Sequence, residues 1–300
     1  MKKLVILDGG MGRELKRMGA PFSQPLWSAQ ALIESPQHVL KAHHNFIQAG
    51  AEIIIANSYA CVPFHLGEQG FEQQGATLAT LAGQLARQSV EESSTAVKVA
   101  GCIPPAFGSY RPDLFDPQTG EAIFDTLYQA QKPFVDLWLA ETISSVAEAR
   151  SIANVLKTSD KPCHYAFTLL DEQEHDAKLR SGESIKQALM TLLETNAQGI
   201  FFNCSVPEVM ESAIRQTRSL LDELGQDMDI GVYANSFTPI RSDHKANEAI
   251  QALRYFSPQE YLDFAKAWHL AGANIIGGCC GISPEHIERL SQWQQSLKGD

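Results

Sequence analysis

Apolar positions fall into two alternating patterns along this chain. Short continuous apolar runs occur at 4–7, 52–57, 97–102, 135–141, 164–170, 199–204, 230–235 and 273–278. Runs of this length, rich in β-branched residues, are what strands buried on both faces look like. Between them lie segments of helical periodicity, clearest at 35–50, 145–157 and 257–272. Each of these three opens on a Ser cap or a first-turn Pro or both, and two end in Gly. Strand and helix patterns alternating throughout predict βα units on a parallel sheet. Eight such units in 300 residues predict an α/β fold of the (β/α)8 TIM-type barrel class, as a single domain over 1–300. The Pro- and Gly-rich stretch 104–120 is expected to be a long loop after the third strand. A doubly wound open sheet is the main rival. The turn "DGGMG" at 8–12 lacks the third glycine of the dinucleotide fingerprint, which weighs against it.

Composition narrows the function. Apolar residues make up 44% and charged residues 20%, ordinary for a globular protein. The net charge of −11, with no Lys/Arg cluster, argues against a nucleic-acid or anionic-membrane surface. No apolar run approaches the ~18 residues of a membrane span. Lys2 and Lys3 precede only four apolar residues before Asp8, too few for a signal-peptide core. With six cysteines, the expected setting is a reducing cytoplasm, where clustered cysteines are metal ligands or reactive thiols more often than disulfides.

In a barrel of this kind chemistry lives at the C-terminal strand ends. Those ends read Asp8, Asn57, Cys102, Glu141, Thr168, Asn203 with Cys204, Asn235, and Cys279 with Cys280. Adjacent strand residues face opposite ways, so Cys279 and Cys280 can share a point only if the backbone leaves strand geometry. Gly277, Gly278 and Gly281 are expected to allow that. Cys204 ends the sixth strand and the pair ends the eighth, and alternate strands fill the same interior layer. Two readings fit these residues: inert small hydrophobes, or a three-thiol zinc site with one open position. Cys61 and Cys163 read as packing residues, and Cys102, on an odd-numbered strand, as a pocket residue and not a ligand. Taken alone, Asp8 and Glu141 read as turn or helix caps. Arg13 and Glu14 read as a solvated helix start, and His43 and His44 as surface or packing residues. Trp138 and Trp268 read as core, whereas Trp27, Tyr59 and Phe237 are aromatic residues expected at the mouth, able to face a cation.

"LDGGMGREL", "FFNCS" and "GGCCGISPEHI", with "PLWSAQALIESPQHV" and "LAETISSVAEA", resemble the homocysteine S-methyltransferases in order and over nearly the whole chain. The resemblance implies a (β/α)8 barrel holding Zn2+ through Cys204, Cys279 and Cys280. It also implies that Asp8 and Glu141 hold the amino acid, with Glu141 at the homocysteine ammonium and the Gly9 and Gly10 backbone close by. Asn203 and Asn235 match polar pocket residues, and Trp27 matches a donor-contacting tryptophan. Two mouth segments depart from the family pattern, "GCIPPAFGSY" after the third strand and "YANSFTP" after the seventh. The activity implied is zinc-dependent transfer of a methyl group from a sulfonium donor, S-methylmethionine or S-adenosylmethionine, to homocysteine, giving methionine. The alternatives are betaine as donor, another thiol or a selenol as acceptor, or a non-enzymatic zinc or thiol sensor. The expected partners are small molecules, with no nucleic acid and no membrane.

Overall fold

The computed structural model describes residues 2–172, 176–240 and 252–297. The strands are β1 Val5–Ile6, β2 Ile53–Ile55, β3 Lys98–Ile103, β4 Leu137–Ile143, β5 Cys163–Phe167, β6 Ala197–Asn203, β7 Asp229–Ala234 and β8 Ile275–Gly278. All pair in parallel, in the order β1-β8-β7-β6-β5-β4-β3-β2. The seam between β1 and β2 closes through a Leu7–Ile53 bridge. There the Asp8 N–H donates to Ile53 at 3.0 Å and the Glu52 N–H to Ile6 at 2.7 Å. The predicted (β/α)8 barrel is the fold.

Two apolar layers hold it. One takes a residue from every strand end or strand, including Leu7, Leu139, Phe201 and Tyr233, and fills the barrel interior. The larger one packs strands against helices and contains Trp138 and Trp268, as the apolar pattern predicts. Buried in both directions, the strands have no polar face, which is why they read as unbroken apolar runs.

The helix starts follow local chemistry. Ser145 accepts from the Glu148 N–H at the head of Val146–Leu156. Ser257 with Glu260 forms a capping box at the head of Pro258–Ala271, and Ser184 with Gln187 does so for Ile185–Leu193. Ser35 makes no such cap; its hydroxyl pairs with His38 Nδ1 at 2.6 Å. The expected 104–120 loop is shorter than the sequence implied. Asp116 caps Pro117–Gln131, accepting from the Thr119 N–H at 2.8 Å, so residues from 117 onward are helix. His43 lies fully buried, and burial pushes its imidazole down to about 3, so it is a neutral packing residue. Among the described residues no helix is long and apolar enough to cross a membrane.

Candidate active site

A cavity of about 350 Å³ opens at the C-terminal ends of the strands. Asp8, Gly9, Gly10, Trp27, Glu141, Cys204, Cys279 and Cys280 line it, together with Arg13, Tyr59, His65, Tyr110, Tyr233 and Phe237. Among the described residues, the non-glycine positions with positive φ are Trp27 (47°), Tyr110 (65°), Thr142 (59°) and Cys204 (50°). Three of these line the cavity and the fourth follows Glu141. Left-handed backbone costs of order 1–3 kcal/mol per residue and persists only where the surroundings over-determine it. At Thr142 the determinant is Asn203, whose side chain accepts from the Thr142 N–H at 2.9 Å and donates to its hydroxyl at 3.0 Å.

Two carboxylates face this cavity. Asp8 Oδ2 accepts from the Ile55 N–H at 2.8 Å, while the buried Oδ1 has no hydrogen-bond partner among the described residues. Burial pushes the Asp8 carboxyl well above its usual range, and the charge of Glu141 adds to the shift. Glu141 Oε1 accepts from the Cys102 thiol at 2.9 Å and Oε2 from the Tyr233 hydroxyl at 3.2 Å. Burial pushes Glu141 up to about 6, against the pull of those two hydrogen bonds. Among the described residues, no cationic side chain acts on either carboxylate. A buried carboxylate pair without a cation is costly, and the cost shows as the raised pKa of both groups.

The cysteines expected to act together meet at the same mouth. The sulfurs of Cys204 and Cys279 lie against each other, with Cα atoms 5.9 Å apart. Cys280 is a free thiol, half-buried beside them; burial pushes it up to about 11, against the positive charge of Arg13. Of the three glycines expected to bend the chain here, only Gly281 takes a positive φ, 88°. Gly277 and Gly278 stay in β8. A further glycine matters more: a Cβ on Gly10 would lie 2.5 Å from the Cys279 carbonyl oxygen, so only glycine lets the chain after β1 pass this close. No group of three or more His, Cys, Asp or Glu residues is assembled as a metal cage among the described residues. The donors themselves are soft sulfur atoms at one mouth of the cavity, a set that in its reduced form suits a thiophilic cation such as zinc.

Other expected site residues sit differently. Asn203 and Asn235 do not line the cavity. Asn203 is committed to Thr142, and Asn235 Oδ1 accepts from the Phe237 N–H at 3.0 Å. Both therefore shape the wall without entering it. Cys61 and Cys163 are buried away from the cavity. Arg13 and Glu14 are not a solvated helix start. Arg13 lines the cavity, and Glu14 is buried, held by Arg17 at 2.6 and 2.7 Å and by Asn45 at 2.6 Å.

The aromatic wall is wider than its sequence signal. Trp27 meets Phe22 and His65 edge-on, with centroids 5.6 and 6.4 Å apart. Burial pulls His65 down to about 4, so it serves as a neutral ring at physiological pH. The Tyr59 hydroxyl pairs with Ser109 at 2.6 Å, joining the loop after β2 to the loop after β3. Tyr110 is backed by the guanidinium of Arg180 at 4.9 Å. Arg180 in turn pairs with buried Asp171 at 2.8 Å. Asp171 also accepts from the N–H groups of Val206 and Ile240 at 2.9 and 2.7 Å, tying together the loops after β5, β6 and β7. Tyr233 sits inside the apolar run of β7, where only strand alternation bears on which way it faces.

A closed parallel barrel with unpaired carboxylates, cysteines and an aromatic wall at its C-terminal mouth defines a barrel enzyme acting on a small polar molecule. The profile of the homocysteine S-methyltransferase family matches residues 5–293, and the chain belongs to that family. It is 29% identical to Homocysteine S-methyltransferase 1 of Brassica oleracea var. italica, over 96% of this chain and 92% of the relative. It is 28% identical to Homocysteine S-methyltransferase YbgG of Bacillus subtilis, over 98% and 96%. Among solved structures, it is similar to the metallated form of the homocysteine methyltransferase MmuM from Escherichia coli. The TM-score is 0.80 at 26% identity, covering 97% of this chain and 96% of that one.

Proposed function

We propose that this chain transfers a methyl group from a sulfonium donor, S-methylmethionine before S-adenosylmethionine, to homocysteine, yielding methionine. The observation that carries this reading is the pair of buried carboxylates, Asp8 and Glu141, which have no cationic partner among the described residues and share a cavity with Cys204, Cys279 and Cys280. An α-amino thiol matches both features, its ammonium toward the carboxylates and its sulfur toward the cysteines.

In this reading Cys204, Cys279 and Cys280, fully reduced, hold Zn2+. When bound, the metal keeps the acceptor sulfur as a thiolate at neutral pH, where a free thiol with a pKa near ~8.5 is mostly protonated. Glu141 and Asp8 orient the acceptor by its ammonium, and the backbone at Gly9 and Gly10 lies close to the acceptor's amino-acid end. The rings of Trp27, Tyr59, Tyr110 and Phe237 stabilise the positive charge of the donor by cation–π attraction and keep water from it. The acceptor sulfur attacks the methyl carbon as the methyl–sulfonium bond breaks. The bonding pair returns to the donor sulfur, which leaves as a neutral thioether. The acceptor's thiol proton is lost to solvent on binding, so no protein general base is required.

The test is the initial rate of methyl transfer by reduced, zinc-loaded enzyme with saturating homocysteine and equal concentrations of S-methylmethionine, S-adenosylmethionine and betaine. The expected order places S-methylmethionine first and betaine last. A higher rate with betaine than with either sulfonium compound overturns the donor assignment. No methionine from any donor overturns the reading itself.

A further inference from the structure

Cys102 has no part in the three-cysteine cluster, and its place at the end of β3 is fixed from outside the sheet. The side chain of Gln131, fully buried at the end of Pro117–Gln131, accepts from the Cys102 N–H at 3.0 Å and donates to the Cys102 carbonyl at 3.0 Å. Ser58 Oγ reaches the same carbonyl at 3.2 Å. So held, the fully buried Cys102 thiol donates to Glu141 Oε1 at 2.9 Å, while Tyr233 donates to Oε2 at 3.2 Å. The register explains the reach: Cys102 pairs with Leu139, and Glu141 stands two residues further along β4 on the same face. Burial pushes both the thiol and the phenol well above their usual ranges. Each therefore remains a protonated donor, and neither supplies a positive charge to satisfy the carboxylate.

We infer that Cys102 is a positioning residue for the acceptor: with Tyr233 it locks the Glu141 carboxylate in the orientation that receives the acceptor's ammonium. The inference rests on the reading of Glu141 given above. Around Glu141 stand Asp8 after β1, Tyr59 after β2, Cys102 on β3, Tyr233 on β7 and Cys280 after β8. None is a cation. Asp8 Oδ1, buried and without a hydrogen-bond partner on the same cavity, marks the same vacant complement. Removing a donor to a charged carboxylate raises its pKa, so loss of the Cys102 thiol moves the acid limb of acceptor use to higher pH.

The experiment compares wild type, Cys102→Ala and Cys102→Ser as reduced, zinc-loaded full-length enzymes, with homocysteine and with 4-mercaptobutanoate, which lacks the ammonium. A thiol is a weak donor, so Cys102→Ala is expected to raise KM for homocysteine roughly five- to tenfold. Its kcat should stay within about twofold, the pattern of lost ground-state binding. The acid limb of kcat/KM should move upward, KM for 4-mercaptobutanoate should not change, and Cys102→Ser should restore homocysteine use. If Cys102→Ala does not fold, Tyr233→Phe carries the same comparison through the other carboxylate oxygen. An unchanged homocysteine KM and acid limb, or an equal rise in KM for both acceptors, overturns the inference. Glu141→Ala separates the two levels. If it leaves the preference for homocysteine over 4-mercaptobutanoate intact, the underlying reading of Glu141 falls. If it abolishes that preference while Cys102→Ala does not alter it, only the role of Cys102 falls.

Discussion

The two ends of the barrel treat their carboxylates in opposite ways. At the N-terminal end, Asp229 is matched by its own protein. Lys2 and Asn274 each reach Oδ1 at 3.1 Å, and His164 stands 3.5 Å from Oδ2. These partners, His164 first, hold its carboxyl well below the usual range. At the C-terminal mouth, Asp8 and Glu141 have only neutral donors among the described residues and are pushed the other way by burial. The left-handed non-glycine residues gather at the mouth as well. One end matches its carboxylate internally, and the other, where this fold places its chemistry, leaves two carboxylates to neutral donors.

The contrast predicts effects of different size. The largest is at the cysteines: Cys204→Ala, Cys279→Ala or Cys280→Ala is expected to reduce methyl transfer to background and to remove most bound zinc. Cys61→Ala and Cys163→Ala should leave both close to wild type, as read by metal analysis and a methionine assay. Breaking the Arg180–Asp171 pair comes next. Its side chains are 3% and 1% exposed, so Arg180→Ala strands a buried carboxylate and should cost about 3–5 kcal/mol in denaturant unfolding.

Smaller, and of opposite sign at the two ends, are the pH effects. The stabilisation by Asp229 is fully present above the ordinary carboxylate range and is lost as pH falls through its depressed pKa. Asp229→Asn should therefore cost roughly 1 kcal/mol at neutral pH and progressively less in acid. Glu141, with a folded pKa of about 6, contributes stability below its ordinary value of 4.5 that is lost as pH rises through 6. Glu141→Gln should then stabilise the ligand-free protein by about 0.5–2 kcal/mol above pH 6, while weakening homocysteine use. Urea unfolding of both variants between pH 4 and pH 8 reads the two signs. Equal slopes for the two variants would erase the contrast between the ends.

Much of this was legible in the sequence because parallel barrel strands are buried on both faces and leave unbroken apolar runs. Asp8, Glu141 and the three clustered cysteines were visible as polar interruptions at the ends of those runs. The rest depended on side-chain reach. Counting alternate strands set Cys102 apart from the cluster, but it could not show that the Glu141 side chain crosses to it. Asn203 looked like a pocket residue because it ends a strand, yet its amide is spent on the left-handed backbone of Thr142. Arg13 looked solvated because no periodicity reveals which way a short helix faces the mouth. Pro117 and Gly120 mark turns as readily as a helix start, so the sequence does not separate the Asp116 cap from the loop before it.

In the function proposed above, the carboxylates at the mouth receive the acceptor's ammonium. The most direct measurement is the ratio of kcat/KM for homocysteine to that for 4-mercaptobutanoate, in wild type and in Glu141→Gln. A hydrogen bond to a charged group is worth about 1.5–3 kcal/mol, so the wild-type ratio should exceed roughly tenfold. Glu141→Gln should bring it close to one with zinc content unchanged. A wild-type ratio near one, or a ratio that Glu141→Gln leaves as it was, would contradict the account.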